Sequence, residues 1–209
     1  TGASNTAIGA QALMNNTTAA NNVAIGISAL KTNTTGASNV AIGKNSLDAN
    51  TTADNNTAVG ADSLGANTTG HDNTAIGMDA AKSITTGEEN VIVGHKAGDA
   101  LTDADYNVAV GRSSLTSDTL GSKTTAIGHG TLNTQNFTSA TDSHNTAVGY
   151  NAMALTTTGL NNTAVGSLAL DTNTTASNNT AVGYAALTAN TTGANNTAVG
   201  KDSLNANTT

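Results

Sequence analysis

Residues 55–64 read NNTAVGADSL, and residues 72–81, which lie 17 positions later, read DNTAIGMDAA. The pattern recurs along the whole chain, and the Gly that closes each NTAVG-like segment marks its period. Successive repeat glycines are 17 residues apart except at one spacing of 21. Such short, fixed self-similarity is typical of solenoids, in which each repeat forms one coil. The repeat glycines are Gly9, Gly26, Gly43, Gly60, Gly77, Gly94, Gly111, Gly128, Gly149, Gly166, Gly183 and Gly200.

The three residues before each repeat Gly predict a β-strand. They are Thr or Val, then Ala in all copies but one, then Ile or Val. Branched side chains favour strands, and alternate residues of a strand face opposite sides. We therefore predict that the Ile/Val column forms the core and that the Ala column faces outward. The predicted core residues are Ile8, Ile25, Ile42, Val59, Ile76, Val93, Val110, Ile127, Val148, Val165, Val182 and Val199. The predicted outward alanines are Ala7, Ala24, Ala41, Ala58, Ala75, Ala109, Ala126, Ala147, Ala164, Ala181 and Ala198.

The remaining positions complete one coil. Leu stands four residues after the repeat Gly in nine copies and is expected to form the other wall of the core. Asn four before the Gly and the recurring NTT segments are expected at corners, where stacked Asn and Thr side chains can form polar ladders. The sequence thus predicts an all-β fold: residues 1–209 form a single array of about twelve coils in a parallel β-solenoid or β-roll. The four extra residues fall within 133–144 as a loop insertion.

Composition and motifs give no basis for catalysis. The chain lacks Cys and Pro, has four aromatic residues, and carries a net charge of −7. Ser, His and Asp all occur, but nothing in the sequence places them together, the repeat glycines lack the Lys of a phosphate loop, and the four His are isolated.

Asp99, Asp103 and Asp105, with Glu88 and Glu89 nearby, suggest a calcium site, but their spacing lacks the loop Gly and terminal Glu of an EF-hand, so a solvated acidic corner is expected instead. We therefore expect no enzyme activity, no metal and no cofactor. The acidic balance argues against nucleic acid as a partner. No hydrophobic run is long enough to insert this segment into a membrane.

The core of each coil is thin for 17 residues, so a further surface is expected to be buried. A continuous Ala column would allow another chain to approach closely. We therefore predict a parallel homo-oligomer that packs along the Ala column, and a trimer closes three such columns around one axis most economically.

Four segments carry a family resemblance: NNTAVGADSL at 55–64, NNTAVGSLAL at 161–170, NNTAVGYAAL at 178–187 and SNVAIGKNSL at 38–47. They resemble the head repeats of trimeric autotransporter adhesins and, equally, the NTAVGY-type repeats of bacteriophage tail fibres. The resemblance implies a left-handed, trimeric β-roll that serves as a structural or adhesive fibre segment. It also implies an extracellular place, on a cell surface or a virion appendage, and a cell-surface receptor or glycan as partner. The longer period, the Leu column and the NTTG corners favour the tail-fibre branch.

Two other functions remain open from the sequence. Joining the ends of the array would put the next repeat Gly at a spacing of 18, so the chain is expected to be either a piece of a longer fibre or a subunit that stacks head to tail into a filament. Ice binding by Thr columns is a distant alternative, because adjacent Thr pairs such as Thr51 and Thr52 point to opposite sides of an extended strand.

The position after each repeat Gly varies most, and we expect this column to face solvent. It holds Tyr150 and Tyr184, which we predict as surface-contact residues. The insertion holds Phe137, the only Phe in the chain, and loops inserted into solenoids are common binding elements. We therefore predict Phe137 as the leading contact residue, with packing beneath its own loop as the alternative.

Overall fold

The computed structural model describes residues 2–209 and is an all-β parallel solenoid, which confirms the predicted fold class. Twelve three-residue strands, one per repeat, form a single parallel sheet in chain order. About eleven turns of some 17 residues join them. The strands of this sheet are β1 (Thr6–Ile8), β2 (Val23–Ile25), β3 (Val40–Ile42), β4 (Thr57–Val59), β5 (Thr74–Ile76), β6 (Val91–Val93), β7 (Val108–Val110), β9 (Thr125–Ile127), β11 (Thr146–Val148), β12 (Thr163–Val165), β13 (Thr180–Val182) and β14 (Thr197–Val199).

Equivalent residues of successive repeats stack directly on one another. Ala58 of β4 pairs with Ala75 of β5, for example, and β9 pairs with β11 in the same register although 21 residues separate them. The extra residues of that longer turn lie to one side. Residues on either side of them form a second, two-stranded parallel sheet from β8 (Gly121–Ser122) and β10 (Thr141–Asp142). The insertion therefore leaves the main ladder unbroken.

The core is formed by the Ala and Leu columns, so the predicted facing of the strands is wrong. None of the predicted core residues is buried; these are Ile8, Ile25, Ile42, Val59, Ile76, Val93, Val110, Ile127, Val148, Val165, Val182 and Val199. Ten of the predicted outward alanines have at most 3% of their surface exposed and lie inside the solenoid: Ala24, Ala41, Ala58, Ala75, Ala109, Ala126, Ala147, Ala164, Ala181 and Ala198. Ala7, in the first coil, is exposed.

The small width of the interior explains this facing. In most coils one Leu supplies the large buried side chain, and the strand can add only a methyl group opposite it. The sixth coil shows the limit, because Ile92 replaces the strand Ala where Gly98 replaces the Leu. A Cβ built on Gly98 would lie 2.9 Å from Cδ1 of Leu101 and 3.3 Å from Cδ1 of Ile92, so these two side chains together fill the room that the leucine occupies elsewhere. Ala is inside because of its size, although the Ile and Val of the same strands are more hydrophobic.

The corners rely on left-handed backbone conformations. Every repeat Gly has a φ between 122° and 138°, a region that other residues rarely adopt. The Leu column also has positive φ, near 50°. This conformation is costly for a bulky residue, but it turns the leucine side chain into the core, where most of the column is completely buried.

A buried Asn ladder ties each coil to the next, as the sequence predicts for stacked corners. Asn56 is completely buried, and its Oδ1 accepts a hydrogen bond of 3.0 Å from the backbone N–H of Asn73 in the following coil. Its Nδ2 donates to the carbonyl oxygen of Gly70 at 2.9 Å. The N–H of Asn73 and the carbonyl of Gly70 are buried and have no neighbouring strand to pair with. The side-chain amide of Asn56 therefore supplies hydrogen bonds that a wider sheet would otherwise provide.

We expect the Asn56→Ala substitution to lower the free energy of unfolding by about 2 kcal/mol, because it leaves the N–H of Asn73 unpaired in the interior and removes one of the two hydrogen bonds that the carbonyl of Gly70 accepts. Urea titration followed by circular dichroism measures the change. The control is Thr52→Ala, since Thr52 of the same coil is exposed and does not have a positive φ. Equal losses for the two variants would contradict the role of the ladder.

Candidate functional site

The outer face of the main sheet is a regular surface that runs along all twelve strands. We define it as the first and third residues of the twelve strands, which are Thr or Val and Ile or Val. Ile42, Ile76 and Val165 keep 37–40% of their surface exposed, and the end residues Ile8 and Val199 keep 59% and 69%. No charged residue occurs in any of these strands. Eleven coil steps make this uncharged strip roughly 50 Å long, which is unusual for a surface that stays in water.

The rung column, which we define as the residue after each repeat Gly, runs beside the outer face. None of its members is buried, which confirms the expected solvent-facing column. Tyr150 and Tyr184 are 54% and 51% exposed. The column contains Ala10, Ile27, Lys44, Ala61, Met78, His95, Arg112, His129, Tyr150, Ser167, Tyr184 and Lys201.

Phe137 does not form a surface contact, so its prediction as the leading contact residue is wrong. Only 6% of its surface is exposed. Its ring packs against Gly121, where a Cβ would lie 2.8 Å from Cδ2 of Phe137. Its backbone N–H donates to Oδ1 of the buried Asp118 at 3.1 Å, and Gln135 Nε2 donates to Oδ2 of the same carboxylate at 2.7 Å. Phe137 thus covers a buried polar cluster beneath its own loop, while Thr138, Ser139 and Ala140 are exposed.

The titratable side chains do not converge on a reaction centre or a metal site. Asp99 accepts a hydrogen bond from Thr116, Asp105 accepts one from the backbone of Glu88, and Asp103 accepts one from Thr86. Among residues 2–209, no group of three or more His, Asp or Glu side chains is placed to hold a metal ion, and no enclosed pocket is present. Within the same residues, no helix is long and apolar enough to cross a membrane.

His71 forms an exposed clamp between two coils. Its Nδ1 lies 2.8 Å from Oδ2 of Asp72, and its Nε2 contacts the carboxylate of Glu88 in the next coil. The hydrogen bond to Asp72, with the charges of Glu88, Asp72 and Glu89, raises the pKa of His71 above its ordinary value of 6.5. The folded chain therefore binds this proton more tightly than the unfolded chain. The resulting stabilisation is complete below pH 6.5 and is lost as the pH rises through the folded-state pKa.

We expect an NMR titration of the four histidines to show a pKa above 6.5 for His71, and we expect the Asp72→Asn substitution to lower it, because the variant loses the principal carboxylate partner. The matched control is Asp54→Asn, a carboxylate of the preceding coil that accepts a hydrogen bond from the backbone of Ala37 instead. An unchanged His71 titration in the Asp72→Asn variant would contradict this contact.

These features define the chain as a parallel β-solenoid repeat protein whose prominent surfaces are an uncharged sheet face and a variable column of exposed side chains. No protein-family model matches the chain, no curated protein matches it, and no solved structure matches it.

Proposed function

We propose that the chain is a structural and adhesive segment of an extracellular fibre, a homotrimeric β-roll of the kind found in phage tail fibres and bacterial surface adhesins. The observation that carries this proposal is the outer face, which presents an uninterrupted, uncharged column of Ile and Val over twelve strands. The in-register ladder supplies a straight spacer of fixed length, and the rung column supplies a variable exposed surface. The resemblance of the repeats to both families supports the extracellular setting.

The outer face replaces the Ala column as the proposed contact between sister chains. The alanines are buried inside their own solenoid, so they cannot contact another chain. The Ile and Val side chains are half-exposed, and self-association would remove their apolar surface from water. Because one face runs along each rod, parallel chains can close three such faces around a common axis.

A charge on the outer face tests this assembly. We expect the wild-type protein to sediment at three times its chain mass of 20.4 kDa. The Val165→Glu substitution is expected to yield monomers, because burying an unpaired carboxylate in an apolar contact is strongly unfavourable. Analytical ultracentrifugation measures both masses.

The control for that experiment is Thr175→Glu, which adds the same charge in the same coil on a different side. Thr175 is exposed, and Asp103 occupies the equivalent position of another coil. The control is expected to keep the wild-type mass. A wild-type monomer, or loss of assembly by both variants, would contradict the proposal that the outer face is the contact.

A filament of subunits stacked head to tail stays an alternative, and negative-stain microscopy separates it from the trimer. Purified trimers are expected to appear as rods roughly 55 to 60 Å long, the length of twelve coils spaced by about 4.8 Å. Long fibres with a continuous coil ladder would favour the filament instead.

One observation favours ice binding as a second candidate. Eight strands begin with Thr, and these residues lie on the same side as the Ile/Val column rather than alternating between two sides. A regular column of hydroxyl and methyl groups on a straight ladder can match repeats of the ice lattice. Thermal hysteresis at micromolar protein would support this function, and its absence would remove it.

A further inference from the structure

The C-terminal half of the rung column carries two groups of cationic and aromatic side chains, separated by Ser167. Arg112 Nη1 lies 3.4 Å from Nε2 of His129, and the rings of His129 and Tyr150 stack with centroids 5.5 Å apart and 17° between their planes. Further along, Nζ of Lys201 lies 5.9 Å from the ring centroid of Tyr184. We call this surface the Arg–Tyr ladder; it contains Arg112, His129, Tyr150, Ser167, Tyr184 and Lys201.

The ladder leaves room for a ligand between its two tyrosines. Ser167 separates Tyr150 from Tyr184, so the two tyrosines stand two coils apart, about 9.6 Å along the rod. Both are about half-exposed, and Ser167 is short enough to leave a notch between them. Arg112 and Lys201 are exposed as well, so the ladder offers ring faces, a hydroxyl and cations in one accessible strip.

The charge of the rung column is opposite to that of the whole protein. Three of the seven Lys and Arg residues lie in this column, and none of the fourteen Asp and Glu residues does, although the net charge is −7 and Asp202 Oδ2 lies 3.6 Å from Nζ of Lys201. The fold accepts Ala, Ile and Met at the same position in other coils. The basic and aromatic residues are therefore not required for folding, and their accumulation in successive coils needs another reason.

We propose that the Arg–Tyr ladder binds a linear acidic polysaccharide. The C–H faces of sugar rings pack on tyrosine rings, while carboxylate or sulfate groups pair with Arg112 and Lys201. An extended polymer can contact successive coils, which repeat every 4.8 Å or so. Single-stranded nucleic acid also offers rings and negative charge, and it is included as a competing ligand in the test below. This inference deepens the adhesive part of the proposed function and rests on it.

Isothermal titration calorimetry with oligogalacturonate as the acidic probe, and with neutral maltoheptaose as the comparison, tests the inference. We expect the wild-type protein to bind only the acidic probe and to bind it more weakly as NaCl is raised. The Tyr184→Ala and Tyr150→Ala substitutions are each expected to weaken binding about tenfold through the lost ring contact. Arg112→Gln is expected to weaken binding and to reduce its dependence on salt.

The matched controls are Met78→Ala and Ile27→Ala, which truncate exposed side chains of the rung column outside the ladder and are expected to bind like the wild type. Wild-type protein that ignores oligogalacturonate, binds maltoheptaose equally well, or prefers a single-stranded oligonucleotide would overturn the inference. Tyr150→Ala or Tyr184→Ala variants that no longer form trimers but still bind oligogalacturonate would also overturn it, because the ladder would then belong to the contact between chains. Sedimentation of the same samples keeps the two proposals apart: trimers without sugar binding refute only the ladder, and monomers that bind sugar refute only the trimer.

Discussion

The Gly60→Ala substitution is expected to lower the free energy of unfolding by about 4 kcal/mol. Gly60 has a φ of 136°, which strains any residue with a side chain. A Cβ there would also lie 2.3 Å from the carbonyl oxygen of Gly77 in the next coil. Because that neighbour is backbone within the ladder, it cannot move aside without separating two coils. Chemical denaturation followed by circular dichroism measures the loss.

Gly65→Ala is the matched control for Gly60→Ala. Gly65 belongs to the same coil, its φ is not in the positive range, and a Cβ there would lie no closer than 3.2 Å to another atom. We expect this variant to stay within about 1 kcal/mol of the wild type. Similar losses at the two glycines would show that the contact between stacked repeat glycines does not limit the fold.

The Ala58→Ile substitution is expected to destabilise the fold by about 3 kcal/mol, because it adds three carbon atoms to an interior that has room for one methyl group. Val59→Ala, which removes two carbon atoms from the neighbouring residue of the outer face, is expected to cost less than about 1 kcal/mol in the monomer. If the Ile/Val column formed the core, Val59→Ala would destabilise the fold more than Ala58→Ile. Thermal and urea unfolding of both variants distinguish the two arrangements.

A double variant tests the same point by rescue. Ala58→Ile combined with Leu64→Gly copies the pairing of Ile92 with Gly98, in which the strand residue is large and the opposite residue is small. We expect the double variant to be more stable than the sum of the two single losses predicts, because Leu64→Gly frees the interior volume that the larger side chain at position 58 needs. Additive losses would mean that the two positions do not share one space.

The sequence was sufficient to predict the coil, its period and its stacking. Seventeen-residue spacing, branched residues before each repeat Gly and Asn at the corners all depend on local backbone preferences, which a repeat displays many times over. The solvent-facing rung column was also predictable, because a position that accepts Lys, Met, Tyr and Ala is not constrained by packing. The buried Leu column followed from its regular position after the Gly.

The facing of the strand was not predicted, because hydrophobicity alone was used to choose the buried side. Alternation shows that Ala and Ile/Val lie on opposite faces but does not say which face is inside. A signal for the correct facing was present in the sixth coil, where Ile92 replaces the strand Ala and Gly98 replaces the Leu. A Cβ on Gly98 would lie 3.3 Å from Cδ1 of Ile92, so the two columns face the same interior. Phe137 was misjudged for a related reason. Its loop covers Asp118 and Gln135, which replace the Asn of other coils and need a cover.

Cysteine labelling tests the arrangement of the strand most directly, since the chain has no Cys of its own. Ala75→Cys and Ile76→Cys are each made in the Val165→Glu background, which keeps the outer face free, and are treated with a maleimide under native conditions. We expect the thiol at position 76, where the isoleucine is 40% exposed, to react rapidly, and the thiol at position 75 to react only after denaturation. Rapid labelling at position 75 with protection at position 76 would contradict a core built from alanine and leucine.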